Sequence, residues 1–242
     1  MPQRIVAMHQ PFAYPWLGYL AKIADSDVFI YLEQVQFQVK GYMRRNYARG
    51  PQGRMLLSIP CEKPHWTSVD QVRIAGRQWA DVHKKTFETY YARAPYFGEV
   101  CAWLFPVLDE PFDLLADLVY AMVDASLTYL GIETEHMHRQ AEFAEVTAGV
   151  ENPTERLVKI VQAVGGDVYR TGRLAIDTYM EKERFADAGL GLDVQVARPE
   201  PYEQCFPGFE PNLMAVDAMM CLGPICTVDY MRRCFTYEVW NG

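Results

Sequence analysis

The sequence predicts an α/β protein with a mainly parallel central sheet, helices on both sides of it and an additional helical region. Two strand–helix–strand units, near residues 4–32 and 152–197, carry that expectation, because parallel neighbours need a crossover that is usually helical. The composition is the third observation. Of 242 residues, 50% are hydrophobic and 22% charged, a balance that supports a large buried core and excludes a disordered chain. The expectation is one domain over 1–242, with 149–153 as the best seam should it form two lobes.

Residues 4–8 form the first strand, through Ile5, Val6 and Ala7. A helix follows over 16–24, where Leu17, Leu20, Ala21 and Ala24 share a face. Residues 27–32 are the second strand. A polar, basic, glycine-bearing stretch at 34–53 follows, given no element, and 55–60 reads as a strand. Helical patterns cover 79–94 and 113–130, the latter closed by Gly131, with a strand at 132–137. Asn152, Pro153 and Glu155 mark the start of a helix that runs to Gly165 and Gly166. A strand at 168–170 turns through Thr171 and Gly172 into a helix reaching about residue 188, and 192–197 is another strand. The chain ends in helical segments at 213–222 and 226–235.

Charge limits the function classes. Lys plus Arg number 23 against 31 Asp plus Glu, a formal net charge of -8. That argues against general nucleic-acid binding and against anionic membranes, both of which depend on basic surfaces. There is no apolar leader at the start and no run of about 18 apolar residues, so a cytoplasmic protein without a membrane span is expected. The six cysteines are scattered, without metal-ligand spacing, and read as reduced thiols. No metal site is expected. G-x-S-x-G, H-E-x-x-H and G-x-G-x-x-G are all absent, so nothing points to a serine hydrolase, a zincin or an NAD enzyme.

Five constellations could carry chemistry. His9 and Gln10 fall where the first strand ends, at the edge where open α/β sheets hold ligands, with Trp16 opening the next helix. An imidazole there serves as base, acid or phosphate donor, or is bonded into a structural turn. Gln36, Arg45 and Asn46 lie past the second strand, where Arg offers a fork for phosphate or carboxylate unless the segment is a solvated loop. His83 and Lys84 stand on the 79–94 helix, either as base and anion-neutralising ammonium or as parts of a surface helix. Tyr169, Thr171, Gly172 and Arg173 form a strand-to-helix turn of an anion-binding kind. Tyr202 and Gln204 precede Cys205, which reads as a buried structural thiol more readily than a nucleophile.

Taken in order, these residues resemble the WbqC-like family. The resemblance rests on His9-Gln10-Pro11 with Pro15-Trp16-Leu17-Gly18-Tyr19, on Ser26-Asp27-Val28-Phe29, and on Val35-Gln36-Phe37 with Arg45-Asn46. It continues through His83-Lys84 with Tyr91, Tyr169 with Thr171-Gly172, Tyr179, Tyr202 with Gln204, Asp217 and Gly223. The chain departs from the family pattern at Glu33-Gln34, at Arg44 and at Arg170-Thr171. The start of the chain is also similar to nucleotidylyltransferase-like, Rossmann-like proteins, whose His-bearing turn binds nucleotide phosphates; Tyr19 stands where their second His would be.

The resemblance implies an accessory enzyme of bacterial biosynthesis, of surface-polysaccharide amino sugars or of specialised metabolites. Its expected activity is acyl or aminoacyl transfer, glycyl included, onto a small-molecule amine. The activated donor would be an adenylate, a carrier thioester or, least in keeping with the acidic charge, an aminoacyl-tRNA. His9, Lys84 and His83 are the candidate catalytic residues. Gln10, Trp16, Gln36, Arg45, Asn46, Tyr169, Thr171, Gly172, Tyr202 and Gln204 are the candidate substrate-binding residues. The alternatives are an ATP-dependent adenylyl transferase or ligase, with ATP and magnesium as cofactors, and a non-catalytic binding or scaffold protein.

Overall fold

A computed structural model describes residues 2–62 and 67–240. Six strands form one sheet: β1 (Ile5–His9), β2 (Val28–Tyr31), β5 (Met137–Arg139), β6 (Val168–Gly172), β7 (Gly191–Ala197) and β8 (Phe235–Val239). Two more, β3 (Arg45–Gly50) and β4 (Gly53–Ser58), make a separate hairpin. The helices are α1 (Leu17–Ala24), α2 (Gln78–Tyr91), α3 (Phe97–Asp109), α4 (Leu115–Leu130), α5 (Ala144–Thr147), α6 (Pro153–Ala163), α7 (Arg173–Thr178), α8 (Glu183–Asp187) and α9 (Ala215–Cys234). The sheet order is β5-β2-β1-β6-β7-β8, parallel except for β8, which runs against β7. This is a Rossmann-like α/β arrangement, as the sequence predicts.

The sheet is covered on both faces, which explains why β1 and β2 read as continuous apolar runs rather than alternating ones. Side chains alternate between faces along a strand. Val6, Met8, Val28 and Ile30 therefore enter the core shared with α6 to α8, while Ala7, Phe29 and Tyr31 enter the larger core with α1, α4 and α9. The same parity puts His9 on the α1 side. Helix α1 is buried from Leu17 through Ile23, so it is apolar almost all round; Lys22 is the one charge in that run.

The caps read from the sequence are present. Asn152 Oδ1 accepts from the Glu155 backbone N–H at 3.0 Å at the head of α6. Gly131 ends α4 with φ +69°, the left-handed conformation that glycine adopts without steric cost.

Four expectations are corrected. The basic stretch at 34–53, given no element from the sequence, holds a strand: residues 45–50 pair with 53–58, and Gly50 and Gly53 close the turn. Its charge resembles a solvated segment, yet Asn46, Ala48 and Arg49 are buried. The single helix expected to reach residue 188 is two short ones. Between them Met180 drops into the core, Glu181 N–H donates to Thr154 at 3.2 Å, and Asn152 holds the Glu181 carboxylate at 2.6 Å. These tertiary bonds outweigh local helix propensity. The strand expected at 132–137 begins only at Met137. Finally, α3 and β8 lie where no element was read, and β8 takes over at Phe235 where a helix was expected to end.

Candidate active site

Between β1 and β6 the chain order reverses. From β1 the chain crosses to β2 on one side, and it later returns as β6 on the other. At such a switch point the loops beyond the strand ends diverge and leave a crevice. A cleft of about 460 Å³ opens there, lined by His9 at the end of β1, Gly172 at the end of β6, and Gln195 and Ala197 near the end of β7. Phe12, Trp16, Tyr42, Asn46, Leu174, Asn212, Arg173 and Lys22 complete the wall.

His9 is part-buried, its ring meeting Phe12 and Tyr19 edge to face at 4.5 and 4.9 Å between centroids. Its Nδ1 is 2.9 Å from the Gln10 carbonyl oxygen. A carbonyl only accepts, so Nδ1 carries the hydrogen and Nε2 keeps its lone pair. Burial, and then the Lys22 ammonium, pushes the His9 pKa down to about 3, against a smaller upward effect of the Gln10 bond. The ring is therefore neutral at physiological pH. Nε2 can then accept a proton, and the depressed pKa makes it a weak base.

Lys22 is 4% exposed, and among the described residues it makes neither an ion pair nor a side-chain hydrogen bond. Burial, and then the charge of Arg170, lowers its pKa to about 8. Its Nζ lies 3.8 Å from the point a Cβ on Gly172 would occupy. Gln195 Nε2 donates to the Gly18 carbonyl at 2.8 Å and ties β7 to α1.

The far wall depends on a strained residue. Tyr14 has φ +49°, a conformation costly for a bulky side chain, on the order of 1–2 kcal/mol. Two bonds hold it there. Its hydroxyl meets His83 Nδ1 at 2.7 Å, and its carbonyl accepts from Asn46 Nδ2 at 2.6 Å. The fixed turn sets the path of the chain between His9 and Trp16.

A second cleft, of about 570 Å³, lies by β2 and β5, with Tyr31, Tyr120 and Arg139 in its wall. Its basic groups are already engaged: Arg139 stacks on Tyr120 at 4.4 Å and sits 4.0 Å from Asp117, and His138 meets Glu142 at 3.0 Å. No cluster of His, Cys, Asp or Glu able to hold a metal occurs among the described residues. Among the described residues, no carboxylate lines the β1–β6 cleft. A magnesium ion there would be held by the phosphates of a nucleotide rather than by the protein.

Comparison with known proteins adds to this geometry. The model of the WbqC-like protein family matches residues 10–227. The chain belongs to the WbqC-like family. It is also 28% identical over 236 residues to the uncharacterized protein Rv1507c of Mycobacterium tuberculosis, covering 95% of this chain and 98% of that one. No solved structure matches it. No helix among the described residues is long and apolar enough to cross a membrane.

In this WbqC-like chain the residues singled out from the sequence divide sharply. His9, Trp16, Asn46 and Gly172 line one cleft. Gln10 contributes its carbonyl to His9. Gln36 is exposed and bridges to Ser68, and Arg45 is spent on the Lys40 carbonyl. His83 is buried behind the cleft, holding Tyr14. Lys84 is ion-paired with Asp81 at 3.1 Å and with Asp109, away from His9. Tyr169 stacks on Phe185 at 5.1 Å on the opposite face of the sheet, and Thr171 is buried. Arg173 does line the cleft, but α7 is only six residues long, too short to offer a strong dipole. Tyr202 and Gln204 bond to buried Asp217. The cations near His9 are thus Lys22 and Arg173 rather than Arg45 and Lys84. Lys22 was missed, although one lysine in the all-apolar stretch 17–24 was a readable signal.

The two depressed imidazoles have a consequence for stability. Burial also lowers the His83 pKa, to about 4. Between pH 6.5 and 4 the unfolded chain binds these protons and the folded chain does not, so stability falls as pH falls. The Tm is expected to drop by about 5 °C or more from pH 7 to pH 4.5. In a His9→Gln/His83→Gln variant, calorimetry should show a clearly shallower dependence over that window; an unchanged slope would contradict the assignment.

Proposed function

We propose that this protein transfers an activated acyl group, in the first place an aminoacyl group such as glycyl, to an amine in a cytoplasmic bacterial biosynthetic pathway. The observation that carries the reading is a neutral imidazole with a free Nε2 in a cleft at the switch point of the sheet. As the acceptor nitrogen bonds to the acyl carbon it becomes cationic and its proton acidic. His9 Nε2 takes that proton, the tetrahedral centre collapses, and the donor's leaving group departs with the electron pair of the broken bond. Phe12, Trp16 and Tyr42 supply an apolar wall against which a bound donor would be partly shielded from water, which would favour the amine over hydrolysis. The setting in biosynthesis is what the resemblance to the WbqC-like family implies.

A second reading, ATP-dependent adenylyl transfer or ligation, has one observation in its favour. The cleft occupies the position where parallel sheets hold phosphates, with an ammonium in its wall. Reconstitution with the products of neighbouring genes, followed by mass spectrometry, separates the two. Acyl transfer from a preformed donor without ATP supports the first reading. Strict dependence on ATP and magnesium, with diphosphate release, replaces it by the second. A product formed equally well without this protein would leave only a binding role.

A further inference from the structure

Lys22 stands apart from the other buried cations of the molecule. Arg170, also on the α1 side of the sheet, is answered by Asp193 at 3.0 Å and by the Tyr237 ring, 3.6 Å below its guanidinium carbon. Arg49 is held by the carbonyls of Gly50 and Pro207. Arg173, at the rim of the cleft, meets Asp177 at 3.1 Å. Lys22 alone of these has no anion or acceptor among the described residues, and it faces a cavity rather than packed side chains. A buried charge is normally paired, because leaving water without a partner is costly. A charge left open to a cleft is compensated by what enters the cleft.

We propose that Lys22 binds the anionic end of the donor: its ammonium, beside the Gly172 backbone, takes one oxygen of a singly charged carboxylate or phosphodiester. The charge count sets the ligand class. Arg170 and Arg173 have carboxylate partners, so one positive charge remains to be met. The body of the ligand would lie on Phe12, Tyr42 and Leu174, of which Tyr42 is 47% and Leu174 76% exposed, an accessible apolar surface. The absence of a cleft side chain beyond hydrogen at Gly172 leaves room for the oxyanion next to Nζ. An oxyanion there also offsets the field of the ammonium on His9 and makes the imidazole more basic when the donor is in place.

The inference rests on this cleft being the donor site, but it is tested without turnover. Calorimetric titration of the full chain with benzoate, phenyl methyl phosphate and neutral benzamide gives a carboxylate, a phosphodiester and an uncharged probe with the same planar body. At least one of the two anions should bind about tenfold or more tightly than benzamide, and which one does names the source of the oxyanion. Lys22→Met should remove that preference, while Lys85→Met, an exposed lysine, should leave it intact. The Lys22→Met variant should melt no lower than the parent, since it removes an uncompensated buried charge, so lost binding would not reflect unfolding. Equal affinity for all three probes, or unchanged anion preference in Lys22→Met, would overturn the proposal. Anion preference together with failed acyl transfer would refute the transferase reading and leave the site standing.

Discussion

The His9→Ala variant is expected to lose roughly 10²–10⁴-fold in turnover while the Tm changes little, the range typical of removing a positioned proton acceptor. The loss should fall on kcat and kcat/KM alike, because the proton moves only as the new bond forms. Glutamine at the same place restores bulk and a donor but no basic nitrogen, so His9→Gln should be nearly as slow. Lys84→Ala provides the control. Its ammonium is engaged by Asp81 and Asp109 outside the cleft, and turnover should remain within about twofold. Mass-spectrometric product formation measures all three. Full activity in His9→Ala, or a collapse in Lys84→Ala, would mean that the chemistry lies elsewhere.

The largest effect on stability is expected at Asp217. It is fully buried near the start of α9 and accepts from Tyr202 at 2.5 Å, Tyr91 at 2.7 Å and Gln204 at 3.1 Å. Tyr91 in turn accepts the Arg49 backbone N–H at 2.6 Å, and Gln204 accepts from Glu210 N–H at 2.9 Å. Burial raises the Asp217 pKa, and the three donors with Arg49 oppose that rise. The carboxylate thus ties the β3–β4 hairpin, α2 and the 199–212 segment to α9. Asp217→Ala removes the shared acceptor of three donors, leaving buried Tyr91 without one, and a loss of roughly 3 kcal/mol is expected from urea unfolding. Asn retains one acceptor and should cost less. A loss under about 1 kcal/mol for Ala would show that the network does not bear on stability. It also explains why Tyr202 and Gln204 lie outside the cleft: they serve the scaffold.

The sheet was legible because its signals are local. Runs such as Val28 to Tyr31 declare buried parallel strands, and the Asn152 and Gly131 caps mark helix ends that the structure contains. The position of His9 follows from the strand it ends, so its place in the cleft was readable too. What the sequence hid is compensation. Arg45 and Lys84 look like free cations in the chain, yet Arg45 is bonded at the Lys40 carbonyl, and Lys84 is held by Asp81 one helical turn before it and by Asp109 from another helix. Lys22 shows in the chain as one lysine in an apolar stretch, but its having no partner among the described residues does not. The Asp81 partner is readable from helical spacing, but the Asp109 partner and the isolation of Lys22 are properties of tertiary structure that spacing along the chain does not carry. Likewise His83 was found as a notable residue but not as the support of a strained Tyr14, a role that only its buried contact reveals.

The most direct test of a substrate site between β1 and β6 is a crystal structure of the protein with a small molecule that raises its Tm in a screen of ATP, AMP, nucleotide sugars and amino acids. The ligand is expected against His9 and Lys22, with an oxyanion at hydrogen-bond distance from Lys22 Nζ and a polar atom facing His9 Nε2. A ligand seated instead in the Tyr31, Tyr120 and Arg139 cleft, with the His9 cleft left to solvent, would contradict the account.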